Sequence, residues 1–500
     1  MSNLKESTMK TGPILTVLLI GAIAAILNQT VLNVALPTLT VEFGVPTSTA
    51  QWLITLYMLI SGIFIPITAF LMARFSTRQL FFTAMITFSL GTLLCGASPS
   101  FSLLLIGRGV QAIGAGIVMP LLISVVFRLF PIEKRGAAMG IVGVAIMFAP
   151  AVGPTLSGLL ITQLSWRYIF YAILPFSITA LVASFFILKN VSVPQKVKLD
   201  VIGVISSSFG FGGILYGFSI AGQQGWGSIP VIASLAVGVI SLIWFVIRQL
   251  TTDEPLIDLK IFKSLEFTLS IVISFFVNGV IYAMMILLPI YLQNNRGMSA
   301  LESGLFLLPG SIVMAIMSPI AGKMFDRCGM KWIGILGTII LVASTAFYTN
   351  LTYSTGILLM MFVYMIRSFG VTFITMPLMT TGLNALRPEL TGHGTAMQNT
   401  LQSIAGAIGT AIMTTILTTQ TDLFVSNEVA KLGQGKPSAE QLSTIGSNGL
   451  LHGVNSSFVA ATIFAVIGLV SMIVLAVGLD KKKKARQNES AIALAKEEVF

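Results

Sequence analysis

Charge is what this chain of 500 residues has least of. Lys, Arg, Asp and Glu together make up 9% of it, while 55% is hydrophobic; soluble domains carry roughly 25% charged residues. With a mean hydropathy of +0.92, the chain has too much apolar surface for a water-soluble fold to hide. Cysteine and histidine are nearly absent too. Cys95 and Cys328 are the two cysteines, and they offer neither a disulfide framework nor a metal-ligand spacing. His393 and His452 are the two histidines, too few for a hydrolytic or metal centre, so no metal and no cofactor is expected. No nucleophile–base cluster is visible, which argues against an enzyme. There is no GxxxxGK[ST] loop, which argues against ATP drive.

Long apolar runs fill the space that charge leaves. Runs long enough to cross a bilayer, roughly 20 residues each, fall near 13–37, 50–73, 79–98, 102–126, 138–161, 168–189, 201–221, 228–249, 267–292, 303–325, 332–349, 355–379, 394–418 and 455–478. The first shows no small-residue cleavage pattern and reads as a permanent span, not a signal peptide. The sequence therefore predicts an all-α polytopic membrane protein with fourteen spans and both termini on one side.

The basic residues fix that side. Of the 29 Lys and Arg, Arg167, Arg296, Lys431 and Lys436 fall in outer segments if the termini are cytoplasmic. Arg108 and Arg367 fall inside spans, and every other one falls in an inner segment. Such asymmetry is the positive-inside signature, and it explains the net charge of +11 without any nucleic-acid role. The tail DKKKKARQ reads as a stop-transfer and anionic-lipid anchor. The outer segment 419–454, polar and rich in Ser, Gly and Gln, reads as the longest loop, mobile and without an assigned role.

An internal repeat is legible. Met119-Pro120-Leu121 and Pro131 match Met376-Pro377-Leu378 and Pro388 at one common offset. Gly136-x-Ala138-Met139 matches Gly394-x-Ala396-Met397, and PITAFLMARFSTR (66–78) matches PIAGKMFDRCGMK (319–331). Each copy has an arginine in the span before MPL. Parallel repeats of this kind mark transporters whose site lies between the halves at mid-membrane. The expected division is 1–190 as an N-terminal six-span bundle, 191–250 as two inserted spans, 251–264 as a cytoplasmic link, 265–480 as a C-terminal six-span bundle and 481–500 as a basic cytoplasmic tail.

These residues resemble a known family over nearly the whole chain. LNQTVLNVALP (27–37), ARFSTR (73–78), FDRCGMK (325–331), GRGVQAIGAG (107–116), APAVGPTLSG (149–158), WRYIF (166–170) and LPIYLQ (288–293) are similar to motifs of the fourteen-span drug:proton antiporter branch of the major facilitator superfamily. Within it the chain most resembles the lincosamide-type multidrug exporters of Gram-positive bacteria. The resemblance implies the major facilitator fold, two six-helix bundles plus two extra spans. It also implies proton-coupled efflux of small amphipathic substrates by a monomer in the bacterial plasma membrane. The chain departs from the pattern at Asn28 and Ala73, where the branch often has an acid, at Ser76, where it has glycine, and at Ala112, also usually glycine.

Candidate site residues follow from burial cost. Asn28, Gln29 and Asn33 are amides in an apolar span, where polar groups default to function. Arg108 must face the bundle interior; it either anchors carbonyls near the span-1 amides, contacts substrate, or modulates a proton site, with Gln111 one turn on. Arg367 is its counterpart in the second half. Trp52, Tyr57, Asn278, Tyr282 and Met285 are placed along the cavity, with Gln398 and Asn399 as polar contacts; methionine suits promiscuous apolar pockets. In APAVGPTLSG, Pro150 and Pro154 share a helix face, and Gly153 and Gly158 admit a close neighbour; the family reading is a seal that favours exchange. Asp326, Arg327 and Lys331 read as a cytoplasmic latch that balances inward- and outward-facing states, or as an ordinary basic turn. No acid falls mid-span. Glu302, at the start of the tenth span, is the leading proton-coupling candidate, with helix capping as the alternative; His393 is second. The balance of two arginines and no acid disfavours dicationic substrates. Rival readings are an exporter of an anionic metabolite or signalling nucleotide, using Arg108 and Arg367, and a facilitator without exchange.

Overall fold

The computed structural model describes residues 11–191, 194, 197–432 and 438–497, with side chains described except at 33, 47, 48, 148, 150, 151, 154, 222, 223, 300 and 481–497. Fourteen long helices occur in chain order: α1 (Thr11–Phe43), α2 (Trp52–Arg74), α3 (Thr77–Gly96), α4 (Phe101–Leu129), α5 (Arg135–Gln163), α6 (Arg167–Ile187), α7 (Val201–Gln224), α8 (Ile229–Thr251), α9 (Leu265–Ile290), α10 (Ala300–Cys328), α11 (Met330–Phe347), α12 (Ile357–Asn384), α13 (Thr391–Lys431) and α14 (Ala439–Glu497). Among the described residues there is no strand. A helix satisfies its own backbone, which is what a lipid environment demands. By length and composition, 13 helices can cross a membrane; α5, 29 residues long, stands in the place of the fifth predicted span, against α1 and α10.

The helices gather into two bundles. In the first, α3 packs on α4 and α6, α2 on α4, and α1 on α5 and α6; in the second, α9 packs on α13 and α14, α11 on α12 and α14, and α10 on α12. The α7–α8 hairpin lies outside both. Helix α7 rests on α2 and α13, one helix from each bundle, while α8 packs mainly on α7 and keeps a lipid-facing row of Ile240, Ile243, Trp244 and Ile247 exposed. Asp200 ties the hairpin to the segment after α8. Its carboxylate accepts from the Gly203 N–H, Gln249 Nε2 and Arg248 Nε, and Gln249 Oε1 accepts from the Ile257 N–H. Burial pushes the Asp200 carboxyl up, but those donors outweigh it and hold the group below its usual range.

Residues 419–431 and 439–454 are helical, where the sequence reads as a loop; 433–437 lie outside the described residues. Helix α13 is 41 residues long, which is about 60 Å at about 1.5 Å per residue, twice the roughly 30 Å of a hydrocarbon core. Its outer third continues as helix to Lys431, and α14 returns from Ala439. The ring of His452 lies against Phe424, and Gly449 and Gly453 meet Val425, Thr421 and Leu417. The small and apolar residues of this polar run pair two helices beyond the bilayer.

The bundles close on each other at one end. This is the basic end, where the turns carrying most Lys and Arg lie. There α5 and α10 touch through glycine: a Cβ on Gly322 would overlap the Gly136 carbonyl oxygen, and one on Gly140 would sit 2.6 Å from the Ser318 carbonyl oxygen. Ser318 Oγ donates to Gly140 O at 2.7 Å, and Arg135 Nη1 donates to Asn384 Oδ1 at 2.7 Å. At the other end Gly158 of α5 and Gly304 of α10 face open space. Along the α5–α10 seam the structure is therefore tightly packed at the basic end, while Gly158 and Gly304 toward the opposite end have no packing neighbour among the described residues.

Candidate functional site

The first polar cluster joins α1, α2 and α4. Arg108 is fully buried. Its Nε donates to Leu53 O at 3.1 Å, and Nη1 donates to Asn28 O at 3.3 Å and to Gln111 Oε1 at 3.1 Å. The guanidinium lies 4.2 Å from the centroid of the Tyr57 ring, a favourable cation–π geometry, and Tyr57 Oη donates to Ala25 O. Gln111 Nε2 donates in turn to Thr92 Oγ1 at 2.8 Å, which ties in α3. Three helices thus share one cation through backbone carbonyls. Among the three roles read for Arg108, the anchor is the one this geometry displays. Asn28 is 0% exposed; its side chain interacts with the Tyr57 hydroxyl, and among the described residues Arg108 Nη2 has no hydrogen-bond partner.

The second cluster joins α9, α12 and α13. Asn278 Nδ2 donates to Ser274 O, and Gln402 Nε2 donates to Asn278 Oδ1 at 3.2 Å. The Tyr282 ring lies on Gly406, where a Cβ would meet it at 2.8 Å. Arg367, also buried, donates from Nη2 to Val280 O at 3.0 Å. The repeat thus recurs in the geometry: each mid-helix arginine holds a backbone carbonyl of the first helix of its own bundle. Gln398 Oε1 is buried and unpartnered, while Asn399 turns its amide back onto Thr395 O of its own helix.

The remaining sequence candidates fall elsewhere. Trp52 does not join the Tyr57–Arg108 cluster; it stacks on Tyr216 of α7, centroids 5.5 Å apart, at the seam with the inserted hairpin. Met285 is 47% exposed and Gln29 half-buried; neither is drawn into these clusters. Asn33, Pro150 and Pro154 have side chains outside the described residues. In the α5 motif, Gly153 meets Thr30 of α1 as a close-approach glycine should, but Gly158 meets nothing, because that end of the seam is open. Glu302 completes a capping box with Ser299 at the N-terminus of α10 and is exposed.

The latch residues divide. Asp326 Oδ1 and Oδ2 accept from the backbone N–H groups of Gly136 and Ala137, both at 2.8 Å, so α10 of one bundle caps the N-terminus of α5 in the other. Lys331 does not cross the boundary; it pairs with Asp480 of α14 within its own bundle. Arg327 is exposed. Sequence reasoning missed Gly140, Gly143, Ser318 and Gln402. The first two had a signal, since Gly136, Gly140 and Gly143 stand at small-residue spacing on one helix face.

Comparison with known proteins gives the same picture. The profile of the Major Facilitator Superfamily matches residues 18–410. An uncharacterized MFS-type transporter, YhcA of Bacillus subtilis, is 44% identical over 100% of this chain and 99% of its own length. The lincomycin resistance protein LmrB of Listeria monocytogenes is 41% identical over 92% of this chain and 95% of its own. Among solved structures, the human organic anion transporter MFSD10 superposes with a TM-score of 0.63 over 93% of this chain and 99% of its own, at 15% identity.

Proposed function

The chain belongs to the major facilitator superfamily, and on that premise we propose that it exports amphipathic drugs or antibiotics in exchange for protons, by alternating access between its two bundles. It is a multi-pass membrane transporter and not an enzyme. The observation that carries the drug-export reading is the likeness to the lincomycin resistance protein over 92% of the chain. In this reading the protein is a monomer in the bacterial plasma membrane, its basic end and both termini face the cytoplasm, and the conformer described is outward-facing.

The chemistry of the two clusters fits the substrate class. Asn28, Gln398, Asn278 and Gln402 are uncharged groups that donate and accept, and no described carboxylate pairs with Arg108 or Arg367. A dication would leave its charges without a partner in a low-dielectric site; a neutral or singly charged amphiphile would not. Glu302 serves the helix and not the proton here, because an exposed acid at one mouth is reachable from one side only, whereas a carrier must be reached from both. Two assays test the reading. Cells carrying the protein are protected against a lincosamide but not against a dicationic biocide; equal protection against both removes the charge argument. Drug added to proteoliposomes drives proton movement; none favours a facilitator without exchange.

Export of an anionic metabolite or signalling nucleotide is the second reading, favoured by the two buried arginines. Both guanidiniums already hold backbone carbonyls, which leaves each only part of its donor fork for an anion. Competition binding with an anion panel on the wild type and Arg108→Ala separates the two: anion affinity lost with the arginine supports the second.

A further inference from the structure

The two bundles meet along two seams, and their basic ends are held differently. On the α5–α10 seam, Asp326 caps the N-terminus of α5. The repeat places Ala73 of α2 where Asp326 stands in α10, opposite the N-terminus of α13. Alanine accepts no hydrogen bond. The first turn of α13 holds no acid, and no side chain caps it. The α2–α13 seam is nevertheless closed, with Met72 Cε 3.6 Å from where a Cβ on Gly392 would sit.

Something else is bound there. His393, in the first turn of α13, accepts at Nδ1 from the Asp258 N–H at 3.3 Å, and its ring also interacts with the Leu256 backbone. Both belong to the link between α8 and α9, residues 252–264. The link is tied back to the inserted hairpin through Ile257 N–H to Gln249, Gln249 to Asp200, and Arg248 to Asp200, and α7 of that hairpin rests on both α2 and α13. One connected strap therefore runs from the insert to the helix end that lacks its acidic cap.

We propose that this strap, docked on His393, is the second latch of the basic end, standing in for the acid missing at Ala73, and that protonation of His393 releases it. The chemistry is specific to the ring. A neutral imidazole has one acceptor nitrogen, and here that acceptor is Nδ1; an imidazolium has two donors and none. A protonated His393 therefore faces the Asp258 N–H donor to donor. The Asp258 carboxylate accepts from the Lys260 N–H at 2.9 Å and faces the Lys260 ammonium at 3.8 Å; its attraction for a charged ring is outweighed by the cost of burying that charge. Charged groups on the elements around His393 are Asp253, Glu254, Asp258, Lys260 and Lys263 on the link, Arg74 at the end of α2, Arg387 and Glu389 ahead of α13, Glu266 at the start of α9, and the Asp200–Arg248 pair behind the link. The proposal rests on the transporter reading only for its consequence, since the contact and its release are properties of the folded chain.

The test is a distance measurement and needs no transport. Spin labels at Arg74→Cys and Glu389→Cys, in a Cys328→Ser background, report the α2–α13 seam by pulsed electron paramagnetic resonance at about pH 8 and about pH 4.5, the lower placed well under the ordinary histidine value of about 6.5 because burial pushes the His393 ring below it. In the otherwise wild-type chain the short distance dominates at the higher pH, and its population falls several-fold at the lower. His393→Asn keeps an acceptor that does not titrate and stays short at both. Asp258→Pro removes the N–H at a backbone φ of −72° that proline adopts without strain, and is long at both; Asp258→Ala keeps the N–H and behaves as wild type. The proposal is overturned if His393→Asn lengthens with acid as the wild type does, or if Asp258→Pro remains short.

Discussion

Asp326 of α10 and Gly136 of α5 are joined across the boundary between the bundles by a 2.8 Å hydrogen bond from the Gly136 N–H to Oδ1, with the Ala137 N–H on the other carboxylate oxygen at 2.8 Å. The first N–H groups of a helix have no partner of their own, and the helix dipole favours a negative charge beside them. The contact joins the two bundles at the shut basic end, so under the proposed alternating access it favours this conformer.

Removing that charge should shift the balance between conformers. Asp326→Asn keeps one acceptor but loses the charge and the second bond. Hydrogen bonds to charged groups are worth about 1.5–3 kcal/mol, and about 1.4 kcal/mol is tenfold in an equilibrium. The ratio of shut to open molecules should fall by roughly tenfold or more. Spin labels at the exposed positions Glu133 and Lys323 would read this as a longer mean distance; an unchanged distribution would show that glycine packing alone holds the seam.

Gly322 supplies the steric half of the same contact. A methyl group there overlaps the Gly136 carbonyl oxygen, and overpacking typically costs about 1–3 kcal/mol. Gly322→Ala should reach the membrane at normal levels yet export poorly, because it forces α5 and α10 apart. Gly158→Ala, on the open stretch of α5, adds its methyl to empty space and should leave the shut conformer as stable as before. Side-by-side drug-accumulation assays check both, and equal loss in the two variants would remove the distinction between the packed and open ends.

Much of this architecture is legible in the sequence, and the exceptions have physical reasons. Apolar runs and the positions of Lys and Arg locate the helices and the basic end because the bilayer punishes both kinds of error. Arg108 is recognisable since a buried guanidinium must find acceptors, but that these are Leu53 O and Asn28 O depends on the tertiary fold. Glu302 is legible as a cap: Ser299-x-x-Glu302 ahead of an apolar run is the capping-box signature, and the structure displays that role. The helical pairing of 419–431 with 439–454 is hidden because polar residues hide a helix from hydropathy, not from the backbone. Trp52 is misplaced by the sequence because a span's periodicity does not say whether a face meets the cavity or an inserted hairpin.

Arg108 offers a test of anchor against ligand. Lysine keeps the charge but not the planar fork that reaches two carbonyls and Gln111 together. In Arg108→Lys at least one of the charge-assisted hydrogen bonds to Leu53 O, Asn28 O and Gln111 is lost, at about 1.5–3 kcal/mol for a bond to a charged group, while both carbonyls keep their partners within their own helices. The melting temperature of the purified protein should drop without drug present. A drug-binding defect with an unchanged melting temperature would instead assign Arg108 to the substrate.

Glu302 separates capping from proton coupling. Its carboxylate Oε2 accepts from the Ser299 N–H at 2.8 Å and from Ser299 Oγ at 2.9 Å, and Ser299 Oγ accepts from the Glu302 N–H. Glutamine retains an oxygen acceptor at the same reach, and a capping box takes Glu or Gln at this position. Glu302→Gln should therefore keep the start of α10 intact while removing every protonation event at the site. If the cap is its whole role, the number of protons moved per drug in proteoliposomes is unchanged and only a small loss of stability appears. Drug-driven proton movement abolished in Glu302→Gln, with transport of drug down its own gradient preserved, would return the proton to this residue and make the mouth of the open end, not its basic end, the place where coupling is set.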